Sequence, residues 1–260
     1  MRVCVLGHQG MLGHMVVRYL AQMGHEVRTV SQRFLSNDVE AFLHEVQLTQ
    51  SDWCINCIGV RAHDGISSAQ LFAINAELPR LLAESLPRST QLIHASTDGV
   101  FQNHPSDRLV SDIPDATDDY GLSKRKAELA VLAANHYVIR CSIIGPELTT
   151  SRSLFSWALS QRGRIPGFTN HSWNGVTSLE WAKLCQRLVN GERFGAKKLL
   201  QPGFTPACSK HDLLSRIIET WNQDVRVEAL EAECSVSRTL VPNISTPTIA
   251  VQLRELQEYP

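Results

Sequence analysis

The chain of 260 residues has no run approaching the roughly 18 apolar residues of a membrane-spanning helix. Its N-terminal Met1–Leu6 begins like a signal peptide, but Gly7-His8-Gln9-Gly10 interrupts the apolar stretch too early. A cytoplasmic protein is therefore expected, with no membrane partner. There is no excess of either charge sign: 25 Lys and Arg against 26 Asp and Glu leave a net charge of −1. That balance removes the simplest argument for a nucleic-acid partner. A regular cysteine framework is also missing, since the seven cysteines are odd in number and irregularly spaced. Cys54 and Cys57 spell C-x-x-C, but in a strand residues three apart point to opposite faces, so both read as buried small hydrophobes. The ten histidines show no H-E-x-x-H spacing, and no metal site is expected. No lysine occurs before Lys124. Internal repeats and low-complexity tracts are absent as well.

What is present is alternation. Strand-like runs at Arg2–Leu6, Glu26–Val30, Trp53–Ile58, Gln91–Ala95 and Tyr137–Ser142 are separated by helical patterns. Those helices are expected over Met11–Met23, Asp38–Leu48 (capped by Asn37 or Asp38), Ser67–Leu86 and Gly121–Ala134. An irregular polar stretch runs from Gln102 to Asp119. The pattern predicts an α/β fold with a Rossmann-like, doubly wound parallel sheet over residues 1–145. Residues 146–260 read as a smaller C-terminal α/β lobe that binds substrate and packs closely on the first. Its helices are expected at Leu154–Gln161, Leu179–Val189 (capped by Ser178) and Asp212–Trp221, with a strand at Val225–Leu230 and an irregular Val241–Pro247.

Gly7-His8-Gln9-Gly10-Met11-Leu12-Gly13 lies in the first strand-to-helix turn. Glycines there allow positive φ and close backbone approach, so a helix N-terminus can face a pyrophosphate. After the second strand, the place where an acidic residue would bind a ribose 2′-hydroxyl holds Ser31, with Arg33 two residues on. That pair suits a 2′-phosphate and favours NADPH, with NADH as the alternative. Tyr120 and Lys124 are four apart at a helix start and share a face. A lysine cation there is expected to lower the phenol pKa and make Tyr120 a usable acid or base. Ser96-Thr97-Asp98 follows a strand at the end where open α/β sheets bind ligands, and its hydroxyl could stabilise charge on a carbonyl oxygen.

These residues resemble the extended short-chain dehydrogenase/reductase family, and within it the dTDP-4-dehydrorhamnose reductase group of nucleotide-sugar 4-ketoreductases. The resemblance is carried by Gly7–Gly13, Asn56-Cys57-Ile58-Gly59, Phe72-Ala73-Ile74-Asn75, Ser96-Thr97-Asp98-x-Val100-Phe101, Tyr120–Lys124 and Arg140–Pro146. It implies Thr97, Tyr120 and Lys124 as the catalytic triad. It implies cofactor contacts from Gly7, Gln9, Gly10, Met11, Leu12, Gly13, Ser31, Arg33, Cys57, Ile58, Gly59, Asn75, Ser96, Tyr120, Lys124 and Ile143. Arg61, Thr97, Asp98 and Trp173 would meet the substrate, and Asn170–Thr177 resembles the loop that closes the sugar site. Because net charge is near zero, attraction for a sugar-linked diphosphate falls to a local patch, with Arg61, Arg140 and the loop near Trp173 as candidates. One departure is plain: the group usually has tyrosine after Thr-Asp, and here Gly99 stands.

The implied activity is NADPH-dependent reduction of a nucleotide-linked 4-keto-6-deoxysugar in cell-surface polysaccharide biosynthesis, with a homodimer as a candidate assembly. A 4,6-dehydratase is disfavoured because Gly99 follows Asp98 where such enzymes carry a second carboxylate. A nucleotide-sugar epimerase and a non-catalytic NADP-binding regulatory subunit remain as alternatives.

Overall fold

The computed structural model describes residues 1–61, 65–103 and 107–260. Five strands come from the first half: β1 (Arg2–Leu6), β2 (Glu26–Thr29), β3 (Trp53–Asn56), β4 (Gln91–Ser96) and β5 (Tyr137–Arg140). They alternate with helices α1 (Gly13–Gln22), α2 (Val39–Leu48), α3 (Ser68–Phe72), α4 (Leu78–Ser85) and α5 (Asp119–Ala133). All pair in parallel, in the spatial order β5-β4-β3-β1-β2. From β1 the chain steps first to β2 on one side and then to β3 on the other. That reversal opens a crevice at the C-terminal ends of β1 and β3.

Both sheet faces are covered, as the near-continuous apolar strands require. Val3 and Val5 of β1 face a core shared with Met15 and Leu20 of α1. Cys4 and Leu6 point the other way, against Phe42 and Val46 of α2, Leu82 of α4 and Val131 of α5. Cys54 joins this second core and Cys57 packs on the first, so the C-x-x-C thiols do lie on opposite sides. All seven cysteines are free.

The long helix expected over Ser67–Leu86 is present in three continuous pieces. Ser67 caps it with a capping box to Gln70. A π-helical turn, Ala73–Glu77, then separates α3 from α4. Pro79 gives the reason: it lacks the N–H that would bond the Asn75 carbonyl, and its ring would clash there.

The second half adds β6 (Ile143–Ile144), α6 (Leu154–Ser160), β7 (Gly163–Phe168), β8 (His171–Trp173) and β9 (Val176–Thr177). After α7 (Ser178–Val189) come β10 (Leu199–Leu200), β11 (Pro202–Gly203) and β12 (Cys208–Ser209). The chain continues through α8 (Lys210–Thr220), β13 (Val225–Leu230), β14 (Val236–Arg238), β15 (Ile244–Ser245) and α9 (Ile249–Glu258). β13 runs parallel to β7, β6 parallel to β9, and β11 parallel to β15. In the three-stranded sheet β8 is central, antiparallel to β12 and parallel to β14. The cap of α7 is Thr177 rather than Ser178, its hydroxyl accepting the Glu180 N–H at 3.2 Å.

The expectation that the nucleotide-binding sheet is confined to residues 1–145 needs correction. β10 pairs with β5, Leu199 with Val138 and Leu200 with Ile139, and supplies a sixth strand. Helix α7 also packs on α1, burying Trp181, Leu184 and Leu188 in the core shared with β1. Two residues of strand carry no periodicity, which is why the pattern did not show this one. Among the described residues, no helix is long and apolar enough to cross a membrane.

Candidate active site

The glycine turn sits at the crevice. Gly7 has φ of +77°, and a Cβ there would stand 3.1 Å from the Cys57 carbonyl carbon and the Ile58 nitrogen. A Cβ at Gly13 would strike the Gly7 carbonyl oxygen at 2.1 Å, so glycine lets α1 descend directly onto the end of β1. No side chain caps the N-terminus of α1, and its first turn carries no acidic residue. An uncapped helix start beside Gln9 and Gly10, both exposed, fits an anionic dinucleotide. Met11 is half-buried and Leu12 is buried in the core beneath the turn.

Ser31 and Arg33 are exposed after β2. The Ser31 and Gln32 backbone N–H groups both donate to the Glu45 carboxylate of α2, at 2.9 and 3.0 Å. The sequence reading had no means of finding Glu45, since its partners lie 13 and 14 residues away.

At the end of β4, Thr97 opens a short 3₁₀ turn, Asp98–Val100. Its hydroxyl accepts the Gly99 N–H at 3.0 Å and donates to Asp98 Oδ1 at 3.2 Å. Tyr120 lies in the first turn of α5, which Asp118 caps by accepting the Gly121 N–H at 2.9 Å. Its ring comes against Gly99, and Arg61 is near enough to act on it electrostatically. Thr97, Asp98, Gly99, Tyr120 and Arg61 therefore converge.

The expected effect of Lys124 on Tyr120 is not what the structure holds. Burial raises the Tyr120 pKa above its ordinary value, opposed by a hydrogen bond with Thr97 and by Arg61. Lys124 is itself buried and turned toward β4, where Nζ donates to the Ala95 carbonyl at 2.6 Å. Burial lowers its pKa to about 8, with Glu128 and then Cys57 acting the other way. Sharing a helix face placed the two side chains on one side; desolvation decided the sign of the shift.

Several residues expected to touch ligand are engaged within the protein instead. Ser96 is buried and donates to Glu128 Oε1 at 2.6 Å. Arg140, only 2% exposed, forms a bidentate pair with Glu128 at 2.9 and 2.6 Å, so it is no candidate for a surface phosphate patch. Asn75 lies in the π turn and clamps Val60, accepting from its N–H at 2.9 Å and donating to its carbonyl at 2.8 Å. That clamp holds the Gly59 loop within reach of Lys124: a Cβ at Gly59 would stand 4.0 Å from Nζ. Trp173 packs on Phe204 with ring centroids 5.8 Å apart and belongs to the core. Cys57, Ile58 and Ile143 are half-buried, at the crevice and beside β9.

Beyond Asp98 a small, shallow depression is lined by Phe101, Arg108, Arg238 and Thr239, among others. Arg238 of β14 lies 4.0 Å from Asp98 Oδ2, linking the second half of the chain to the site. Burial raises the Asp98 pKa, opposed first by Arg238.

The model of the RmlD substrate binding domain family matches residues 1–150. A probable dTDP-4,6-dihydroxy-2-methyloxan-3-one 4-ketoreductase of Streptomyces antibioticus is 36% identical over 143 residues. That match covers 52% of this chain and 48% of the relative, about half of each. Among solved structures, a dTDP-4-dehydrorhamnose reductase from Bacillus anthracis, in complex with NADP, superposes with a TM-score of 0.84 at 18% identity, covering 98% of both chains. A UDP-glucose 4-epimerase from Thermotoga maritima superposes at 0.75 with 16% identity, covering 100% of this chain and 98% of the other. At those identities the structures establish the fold, and the family match over more than half its length establishes the lineage: the chain belongs to the RmlD substrate binding domain family.

Proposed function

We propose that this protein is an NADPH-dependent reductase of a nucleotide-linked 4-keto-6-deoxysugar, working in the cytoplasm in cell-surface polysaccharide synthesis. The convergence of Thr97 and Tyr120 on the face of Gly99, at the C-terminal end of β4, carries this reading. The names of the Streptomyces relative and the Bacillus reductase point the same way, and the former makes a dTDP-linked sugar the first substrate to try.

NADPH would be held by the Gly7–Gly13 turn, by Ser31 and Arg33 and by the Cys57–Gly59 segment, and when bound it supplies hydride. Tyr120 donates the proton to the nascent alkoxide. Its raised pKa keeps the phenol protonated at neutral pH, which suits a donor. Thr97 turns its hydroxyl from Asp98 to the substrate oxygen and stabilises the charge developing there. Lys124 holds the floor of the cofactor site beside Gly59. Arg61, an exposed cation that acts on the phenol, attracts the diphosphate, and residues 146–260 contribute the substrate lobe through β14.

The test is NADPH oxidation against dTDP-, UDP- and GDP-linked 4-keto-6-deoxysugars. One of them is expected to be reduced stoichiometrically, and Tyr120→Phe to lose about 10²–10⁴-fold in kcat. No oxidation with any of the panel, or full turnover by Tyr120→Phe, overturns the reading. Interconversion of sugars without net NADPH consumption identifies an epimerase instead.

A further inference from the structure

Beneath the site runs a buried hydrogen-bond chain of which the proposed reaction uses only the Lys124 end. Asn56, at the end of β3, accepts the Ile58 N–H on Oδ1 at 3.0 Å. Its Nδ2 therefore faces His94 Nδ1, at 3.2 Å. An amide nitrogen only donates, so His94 Nδ1 accepts, and the proton of the neutral ring sits on Nε2. That Nε2 lies 3.4 Å from Lys124 Nζ. An N–H opposite an ammonium sets donor against donor, whereas the lone pair of an amine accepts it.

The ring has no easy escape from this arrangement. Protonating His94 is opposed by its burial and then by Lys124, which together hold its pKa well below the ordinary value. Flipping the tautomer would leave the Asn56 amide facing an N–H. The other ionisable groups facing Lys124 are Glu128 on its own helix and Cys57 after β3. Glu128 is taken up by Arg140 of β5 and Ser96 of β4. Burial pushes the Cys57 thiol up and keeps it neutral.

We propose that His94, locked by Asn56 with its proton on Nε2, is a positioning residue that selects the amine form of Lys124. Protonation of Lys124 then breaks the His94 contact and frees Nζ, still held by the Ala95 carbonyl at 2.6 Å, to add an acceptor on the Gly59 side, toward Asn75 Oδ1. An acceptor arriving there recruits the ammonium. The catalytic consequence rests on the reductase reading, but the titration itself needs neither cofactor nor substrate.

NMR of the free protein, labelled with ¹⁵N in histidine and ¹³C in lysine, tests this directly. His94 is expected as the Nε2–H tautomer with no titration between about pH 5 and 9. Lys124 is expected to titrate well below the five other lysines. Asn56→Asp gives Nδ1 a carboxylate to donate to and turns Nε2 into an acceptor. It should raise Lys124 proton affinity at least about tenfold, one pH unit in its midpoint, and move the pH profile of NADPH oxidation equally. Asn56→Leu removes the donor without adding charge and should give a smaller shift in the same direction. An Nδ1–H tautomer in the wild type overturns the proposal without any variant. So does an unchanged Lys124 midpoint in both folded variants. A correct titration with no NADPH oxidation sinks only the reductase reading, and turnover with the wrong tautomer sinks only this one.

Discussion

Gly99 lies against Tyr120 so closely that a Cβ at position 99 would stand 3.0 Å from Tyr120 Cε1 and 3.3 Å from Thr97 Oγ1. Carbon atoms in comfortable contact stay about 3.5–4.0 Å apart. The glycine that replaces the group's usual tyrosine thus lets the phenol rest on the backbone of the 3₁₀ turn. Gly99→Ala is expected to displace the ring and lower kcat about tenfold, with little change in NADPH affinity. Steady-state kinetics with both substrates varied would check it.

Lys124 costs stability where it serves the site. Its folded pKa of about 8 lies below the ordinary 10.5, so between those values the unfolded chain binds more protons and stability rises with pH. Lys124→Met removes a disfavoured buried charge, and the variant should be more stable at pH 7 by about 1–3 kcal/mol. That advantage is fully present below pH 8 and fades as pH approaches 10.5. Denaturant melts of both proteins at pH 7 and pH 10 would show the gap and its narrowing, alongside loss of turnover.

The Arg140–Glu128 pair is buried on both sides, at 2% and 3% side-chain exposure. Removing one partner strands the other charge, so Arg140→Met is expected to destabilise the fold by about 3–5 kcal/mol. Glu128→Leu should also be costly, because Ser96 and Arg140 both rely on its carboxylate. The double variant Arg140→Met/Glu128→Leu should recover part of the loss. A double-mutant cycle by urea unfolding measures this.

Cofactor choice turns on side chains after β2. Glu45 already occupies the Ser31 and Gln32 N–H groups, so on the proposed reading recognition of a 2′-phosphate would fall to Arg33 and the Ser31 hydroxyl. Arg33→Ala is expected to weaken NADPH binding about tenfold and leave NADH unchanged. Fluorescence titration with each nucleotide decides it.

The first half of the fold was legible because β1 and β3 are nearly continuous apolar runs and α1 and α4 are amphipathic, signals that lie within ten or twenty residues. Tyr120, Lys124, Thr97 and the glycine turn stood out for the same reason. What escaped depended on partners distant in sequence. Arg140 read as a free cation because nothing local announces Glu128, twelve residues back and across a helix–strand contact. His94 read as one more strand residue, since its meaning lies in Asn56 and Lys124. Asn75 was expected to touch the cofactor, but the structure spends its amide on Val60. The helix α9 had a readable pattern in Ile249, Leu253 and Leu256 and was overlooked beside the Pro-rich segment before it.

The strand β10 carries a consequence for how the molecule is made. The family match ends at residue 150, yet 58 residues (141–198) separate β5 from the strand that pairs with it. A nascent chain that has emerged only as far as residue 150 leaves the outer edge of β5 unpaired and lacks α7, whose Trp181 and Leu188 close the core over β1. An open parallel edge is an invitation to wrong pairing. During synthesis the first half must therefore wait, incomplete, for β10 and α7, and a fragment cut at the family boundary should be recovered as aggregate rather than as a domain.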